Sequence, residues 1–188
     1  MKRQIALFTA LLLVLGCVSP ALAAEEAPGL YQQYGPWGEW TQEQKQRLAE
    51  EKNARYRELL GTLSEEDILP GVPETLQALR ARGLALAIGS SSKNAVAILE
   101  RLGLSGWFDA VADGTQIKRS KPDPEVFLLA AEKLGLPAAD CLVVEDAQAG
   151  IQAAQAGGMD AASVGPAAKQ AIGTYQLETI YDLLALFK

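Results

Sequence analysis

Polar side chains that could bind an anion follow a short apolar stretch of this sequence. The apolar run of residues 84–88 ends at Gly89, and the residues that come next are Ser90, Ser91, Ser92, Lys93 and Asn94. Hydroxyls, a lysine and free backbone N–H groups at the start of a helix bind anions, above all phosphate. From this stretch alone, a serine-rich turn that only caps the next helix is an equal alternative.

Two further sets of charged residues occupy comparable positions. Lys121 lies in a loop with Pro122 and Pro124, which restrict the backbone and can hold the ammonium in place to neutralise a phosphate. Glu145 and Asp146 directly follow the apolar run of residues 141–144, and carboxylate oxygens are the ligands that Mg²⁺ prefers. The structural alternatives are a solvated surface lysine and an Asp that caps the next helix.

The elements that would position these residues alternate along the chain. Apolar runs at residues 84–88, 108–112, 141–144 and 161–164 predict buried strands. Between and around them, helical patterns cover residues 41–60, 73–82, 95–102, 124–134, 151–156 and 177–187. Alternation of this kind indicates an α/β fold, a Rossmann-like parallel sheet sandwiched by helices. The carboxyl ends of parallel strands share one edge of a sheet, where ligands bind.

Composition narrows the function classes. The chain has 188 residues and 49% hydrophobic residues, which is enough for one domain with a substantial core and a small accessory lobe. A net charge of −6 argues against nucleic acid as a partner, and the absence of His excludes His-based catalysis and His metal ligands. The two cysteines do not have the spacing of metal ligands. We expect the protein to be a monomer.

The first residues have the pattern of an export signal. Lys2 and Arg3 precede an apolar run over residues 5–16, and Ala21, Leu22 and Ala23 form a small-x-small cleavage pattern. We therefore predict a signal peptide over residues 1–23, a linker over residues 24–40, and a periplasmic or secreted protein. One alternative is that Cys17 is lipidated, which would attach the processed protein to a membrane. The other is that the apolar N-terminal segment stays in the protein as an uncleaved anchor or a buried segment.

Three motifs together resemble the haloacid dehalogenase superfamily, and within it the β-phosphoglucomutase group. They are the serines that start at Ser90, the loop around Lys121 with Pro122, and the Glu145–Asp146 pair that precedes Gly150. The resemblance covers about residues 41–188. It implies a remnant helical cap over residues 41–69 and an α/β core over residues 70–188. The family's enzymes are cytoplasmic, which conflicts with the predicted export.

The resemblance also implies a role for each matching residue. Ser90 would bind the transferring phosphate, with the rest of residues 90–94 around it, and Lys121 would neutralise that phosphate. Glu145 and Asp146 would hold Mg²⁺. In the predicted cap, Lys52 and Asn53 match the lysine and asparagine that hold the distal phosphate in the family, although an ordinary charged helix face would also explain them.

One motif of the family is missing from the sequence. Family enzymes begin with a strand ending in Asp-x-Asp, whose first Asp is the nucleophile and whose second is the general acid and base. No two Asp residues of this chain lie two positions apart, and the tripeptide Asp113, Gly114 and Thr115 follows a different strand. We therefore expect the first strand and half of the cap to be absent, and Mg²⁺ to be weakly held. A strand formed by residues 5–15 is the alternative.

Three functions remain open at this point. The resemblance implies a phosphotransferase acting on a small phosphorylated sugar, converting β-glucose 1-phosphate to glucose 6-phosphate, impaired by loss of its nucleophile. A non-catalytic exported protein that binds phosphate or serves as a scaffold is the second. A truncated or fused gene product is the third.

Overall fold

A six-stranded parallel sheet forms the centre of the protein. The computed structural model of the chain describes residues 6–9 and 41–187. In this part the strand order is β3-β2-β1-β4-β5-β6, and every neighbouring pair is parallel. The strands are β1 (Ala6–Thr9), β2 (Ala85–Gly89), β3 (Ala110–Ala112), β4 (Cys141–Glu145), β5 (Asp160–Ser163) and β6 (Tyr175–Gln176). The predicted α/β class is confirmed.

Helices follow the strands as the alternation predicts. Their bounds are α1 (Gln42–Gly61), α2 (Val72–Ala81), α3 (Ala95–Arg101), α4 (Glu125–Leu134), α5 (Gln148–Ala156), α6 (Gly165–Ala168) and α7 (Leu183–Leu186). Single 3₁₀ turns cover Glu65–Asp67, Ala138–Asp140 and Ile180–Asp182. None of the described helices has the length and apolar character that crossing a membrane requires.

The expectation that the first strand is absent is wrong. Ala6–Thr9 forms β1, which pairs with β2 on one side and β4 on the other, so that Thr9 lies beside Ile88 and Val144. The apolar run of residues 5–16 contains this strand. A short apolar run fits both a buried strand and the core of an export signal, so its sequence does not separate the two.

The sheet is covered on both faces, because successive side chains of a strand point to opposite sides. On one face Leu86, Ile88 and Val144 pack with apolar residues of α2, α3 and α7. On the other face Ala87 and Val143 pack with apolar residues of α4 and α5. Burial on both faces explains why β2 and β4 are continuous apolar runs rather than alternating ones.

Helix α1 begins at the position that the sequence predicts. The backbone N–H of Gln44 donates to Thr41 Oγ1 over 3.2 Å, and the backbone N–H of Thr41 donates to Gln44 Oε1 over 2.8 Å. This reciprocal pair is the predicted capping box. At the other end, Arg101 of α3 donates to the carbonyl of Gly61.

The C-terminal prediction is corrected. A helix over residues 177–187 was expected, but only Leu183–Leu186 is α-helical, preceded by the 3₁₀ turn. Strand β6 was not predicted, because its two residues are exposed and provide no apolar pattern. The helix α6 was also missed, since it comprises a single turn.

The linker over residues 24–40 and the lipidated Cys17 lie outside the described residues. The export signal stays a prediction. Cleavage after Ala23 would remove β1, so a chain processed in this way would not contain the sheet seen here.

We predict that deleting residues 1–23 abolishes cooperative folding. Without β1, the facing edges of β2 and β4 lose their backbone partners, and each unpaired buried group costs about 1–3 kcal/mol. Total stability of a domain is only about 5–15 kcal/mol. Thermal unfolding followed by circular dichroism compares the full chain with residues 24–188. A sharp transition at the same temperature in both would show that β1 is dispensable.

Candidate phosphate site

The carboxyl ends of β2 and β4 bring the predicted residues to one edge of the sheet. Strand β1 lies between them, and the register places Thr9 beside Ile88 and Val144. Ser90 follows β2 directly, whereas Glu145 is the last residue of β4. Both are buried, so this edge carries polar groups inside the protein rather than on its surface.

Lys121 forms a buried ion pair with Glu145. The Lys121 Nζ lies 2.8 Å from Glu145 Oε2, and the two side chains are only 14% and 3% exposed. The same ammonium lies 4.5 Å from the ring centroid of the buried Phe127. The alternative of a solvated surface lysine is therefore wrong. Burial raises the pKa of the Glu145 carboxyl, and the Lys121 ammonium offsets part of that rise.

The loop that carries Lys121 is held by a carboxylate at the start of α4. Glu125 Oε1 accepts from the backbone N–H of Lys118 over 3.0 Å, and Glu125 Oε2 accepts from that of Arg119 over 2.8 Å. Arg119 also pairs with Asp123 Oδ2 at 2.7 Å. Sequence analysis missed Glu125, because its partners are backbone groups that leave no mark in residue type.

The serine hydroxyls fold the loop that follows β2. Ser90 Oγ accepts from the backbone N–H of Ser92, and Ser92 Oγ accepts from that of Asn94, each over 3.1 Å. The cap residue of α3 is Asn94, whose own side chain makes no capping bond, and the hydroxyls of Ser90 and Ser92 bond within the turn that leads into the helix. The serine-rich turn expected as the alternative is therefore present. Ser91 Oγ is buried and has no hydrogen-bond partner among the described residues. We call residues 90–94 the serine loop.

Asp146 does not cap the following helix. The cap residue of α5 is Ala147, and no side chain bonds to the helix start. Asp146 Oδ1 is buried, with no hydrogen-bond partner in the described part of the chain. Gly150 lets α5 approach β4 closely, because a Cβ there would lie 2.1 Å from the Glu145 carboxyl carbon. The Glu145 carboxylate is thus fixed at the edge of the sheet and paired with Lys121, whereas Asp146 Oδ1 beside it has no partner among the described residues.

The donor set around these carboxylates suits a weakly held magnesium ion. No group of three His, Cys, Asp or Glu side chains placed to bind a metal occurs among residues 6–9 and 41–187. Mg²⁺ usually keeps several waters and takes one or two carboxylates, and the unpartnered Asp146 Oδ1 is one such ligand. Glu145 can supply a second, although one of its oxygens is already bonded to Lys121.

Other predicted residues are not joined to this cluster by the structure. Lys93 is exposed and Asn94 is half-buried at the outer end of the serine loop. Lys52 and Asn53 lie within α1, and their side chains are outside what the structure describes. Thr9 is the last residue of β1, and neither Thr9 nor Leu11, two positions further along the sequence, is an Asp.

Comparison with known proteins agrees with this geometry. A family model described as haloacid dehalogenase-like hydrolase matches residues 6–158, which include β1 and all the residues of the site. The chain belongs to the haloacid dehalogenase-like hydrolase family. The superfamily resemblance seen in the sequence is confirmed.

Two relatives of the chain are named as enzymes of sugar phosphates. The chain is 42% identical over 126 residues to a β-phosphoglucomutase of Bacillus subtilis, covering 67% of this chain and 56% of that protein. It is 43% identical over 117 residues to the fructose-1-phosphate phosphatase YqaB of Escherichia coli, covering 62% of this chain and 61% of that one. The chain thus spans little more than half the length of these curated relatives.

A solved structure supports the same fold. The β-phosphoglucomutase of Clostridium difficile superposes with a TM-score of 0.77 at 28% identity, covering 95% of this chain and 92% of that one. The chain is therefore a haloacid dehalogenase-type α/β protein, related to proteins that act on small phosphorylated sugars.

We predict that the amides of Lys118 and Arg119 report the ionisation of Glu125. Hydrogen bonds from the Lys118 and then the Arg119 backbone lower the pKa of Glu125 below its usual range. A depressed folded pKa means that this carboxylate stabilises the fold above the usual Glu pKa, and that its contribution is lost as pH falls through the lowered value. When the amide chemical shifts of Lys118 and Arg119 are measured against pH, they should therefore change at pH values below the usual pKa range of Glu. A change of these chemical shifts at pH values above that pKa range would contradict the geometry.

Proposed function

We propose that this chain binds a small phosphorylated sugar and seats its phosphate at the carboxyl edge of the sheet. The serine loop and Lys121 would be the binding groups, with the distal phosphate of a bisphosphate reaching Lys52 and Asn53 of α1. The observation that carries the proposal is the buried Lys121 ammonium, held against Glu145 and Phe127 at the edge where Ser90 emerges. A lysine buried in this way supplies a fixed positive charge for an oxyanion.

The reaction that fits this site best is the phosphotransfer of β-phosphoglucomutase. It converts β-glucose 1-phosphate to glucose 6-phosphate through a bisphosphate. Support comes from two relatives, which are a β-phosphoglucomutase and a fructose-1-phosphate phosphatase. In this chain Lys121 would neutralise the phosphate and Ser90 would orient it. Turnover would be impaired, because the sequence has no Asp-x-Asp and β1 ends in Thr9.

Magnesium would assist at the same edge. Asp146, through its free Oδ1, and Glu145 would hold the ion, which when bound neutralises negative charge on the phosphate. With one Glu145 oxygen taken by Lys121, we expect weak affinity.

A second candidate is a binding protein without catalysis. The observation that favours it is the absence of Asp-x-Asp from the whole sequence. Such a protein would keep the serine loop and Lys121 but would not form an aspartyl-phosphate.

A turnover assay separates the two candidates. The full chain is incubated with β-glucose 1-phosphate, Mg²⁺ and a trace of the bisphosphate, and glucose 6-phosphate is measured at intervals. Turnover that disappears in Lys121→Ala would support the phosphotransferase. A folded protein that binds the sugar phosphate without turnover would support the binding protein, and failure to bind would contradict both.

We predict that Lys121→Met weakens binding of inorganic phosphate at least about tenfold, because it removes the buried positive charge. Lys121→Met alone would leave the buried Glu145 carboxylate unpaired, at a cost of about 3–5 kcal/mol of stability. The carboxylate is therefore neutralised in the same chain. The double variant Lys121→Met with Glu145→Gln should fold stably and still bind phosphate weakly. Titration calorimetry measures the affinity, with Lys133→Met on the exposed face of α4 as the charge-matched control for the single variant Lys121→Met. Unchanged affinity in the double variant would mean that the phosphate lies elsewhere.

We also predict that Mg²⁺ alone binds weakly, with a dissociation constant in the millimolar range, on the order of 4 kcal/mol of binding free energy. Two carboxylates are too few ligands for tight binding. Calorimetric titration of the full chain with MgCl₂ tests this, with Asp146→Asn expected to remove what binding there is. Micromolar affinity would point to ligands outside the described residues.

A further inference from the structure

Three consecutive residues of the serine loop are held by the end of β3. The backbone N–H of Ser90 donates to the carbonyl of Ala112 over 2.9 Å, and the N–H of Gly114 donates to the carbonyl of Ser92 over 3.0 Å. Between these bonds, Gly114 packs directly against the Ser91 carbonyl, since a Cβ on Gly114 would lie only 2.2 Å from that oxygen. The loop that we assign to the phosphate therefore takes its shape from residues outside it.

Asp113 fixes the turn that presents Gly114. Its carboxylate is 4% exposed, and Oδ1 accepts from the backbone N–H of Thr115 over 2.9 Å and from Thr115 Oγ1 over 2.5 Å. Gln116 Nε2 lies 3.4 Å from the same oxygen. These bonds close a turn of the kind that Asp side chains form with the backbone two residues on. Asp113 thus stabilises the turn of residues 113–116, to which Gly114 belongs.

We propose that Asp113 and Gly114 are positioning residues that hold the serine loop in its phosphate-binding shape. The proposal rests on the proposed function, because it concerns the same phosphate. Both residues act on the loop through backbone contacts and not through the phosphate itself. Gly114 sets the place of the Ser91 and Ser92 carbonyls, and Asp113 sets the place of Gly114. The tripeptide Asp113, Gly114 and Thr115, which follows β3, has this role instead of a catalytic one.

Gly114→Ala is a direct test, because the backbone of Gly114 does not have a positive φ and Ala can adopt it. The only change is a methyl group that meets the Ser91 carbonyl. We expect inorganic phosphate to bind at least about tenfold more weakly, which corresponds to about 1.4 kcal/mol. Gly61→Ala is the matched control, because a Cβ there meets nothing within 4 Å and its φ is also not positive. Its affinity should equal that of the unaltered chain.

Two further measurements distinguish positioning from a general loss of structure. In a Ser90→Ala background, Gly114→Ala should cause little additional loss of affinity, because both changes act through one loop. Asp113→Asn, which keeps an acceptor oxygen for Thr115, should retain more affinity than Asp113→Ala. Amide chemical shifts of residues 90–92 should move in Gly114→Ala and stay in place in Gly61→Ala.

Each outcome decides one claim. Unchanged phosphate affinity in Gly114→Ala, or a full additive loss in the Ser90→Ala background, would overturn the positioning role. Absence of phosphate binding by the unaltered chain would overturn the proposed function. In that case Gly114 has no part in phosphate binding. The amide shifts of residues 90–92 then still decide whether Gly114 holds the loop.

Discussion

The pairing of β1 with both β2 and β4 is the constraint on which the site depends. The strand joins the two halves of the sheet, and its register sets the carboxyl ends of β2 and β4 on either side of Thr9. Ser90 and Glu145 reach the same edge for this reason. A sheet without β1 would leave unpaired backbone groups in the middle of the core, at a cost that a domain of this size does not absorb.

The buried pair of Lys121 and Glu145 gives this edge its chemistry. An ion pair that is almost wholly desolvated contributes little net stability compared with apolar side chains of similar size. Its value lies in placing an ammonium at a fixed point, with Phe127 on one side and the loop anchored by Glu125 on the other. The neighbouring Asp146 has a buried oxygen with no partner among the described residues, so a negative group lies beside the ammonium at the same edge.

Much of this arrangement was predictable from sequence, and the failures have physical causes. Strands β2 and β4 were predicted because burial on both faces demands continuous apolar runs. Strand β1 was missed because three apolar residues and Thr9 inside a longer apolar run fit an export signal equally well. The candidate residues followed from their place after strands. The Lys121 to Glu145 bond spans 24 positions, and the hold of Gly114 on the serine loop is a backbone contact, so neither shows in residue spacing.

Restoring the missing aspartates tests most directly the claim that this is a phosphotransferase site lacking its nucleophile. The double substitution Thr9→Asp with Leu11→Asp introduces an Asp-x-Asp into the sequence whose first Asp is the last residue of β1, and formation of glucose 6-phosphate from β-glucose 1-phosphate is then measured in Mg²⁺ with a trace of the bisphosphate. We predict turnover well above that of the unaltered chain, and its loss when Lys121→Ala is added. A folded variant that binds phosphate and shows no turnover would contradict the account, because the end of β1 would then not face the bound phosphate.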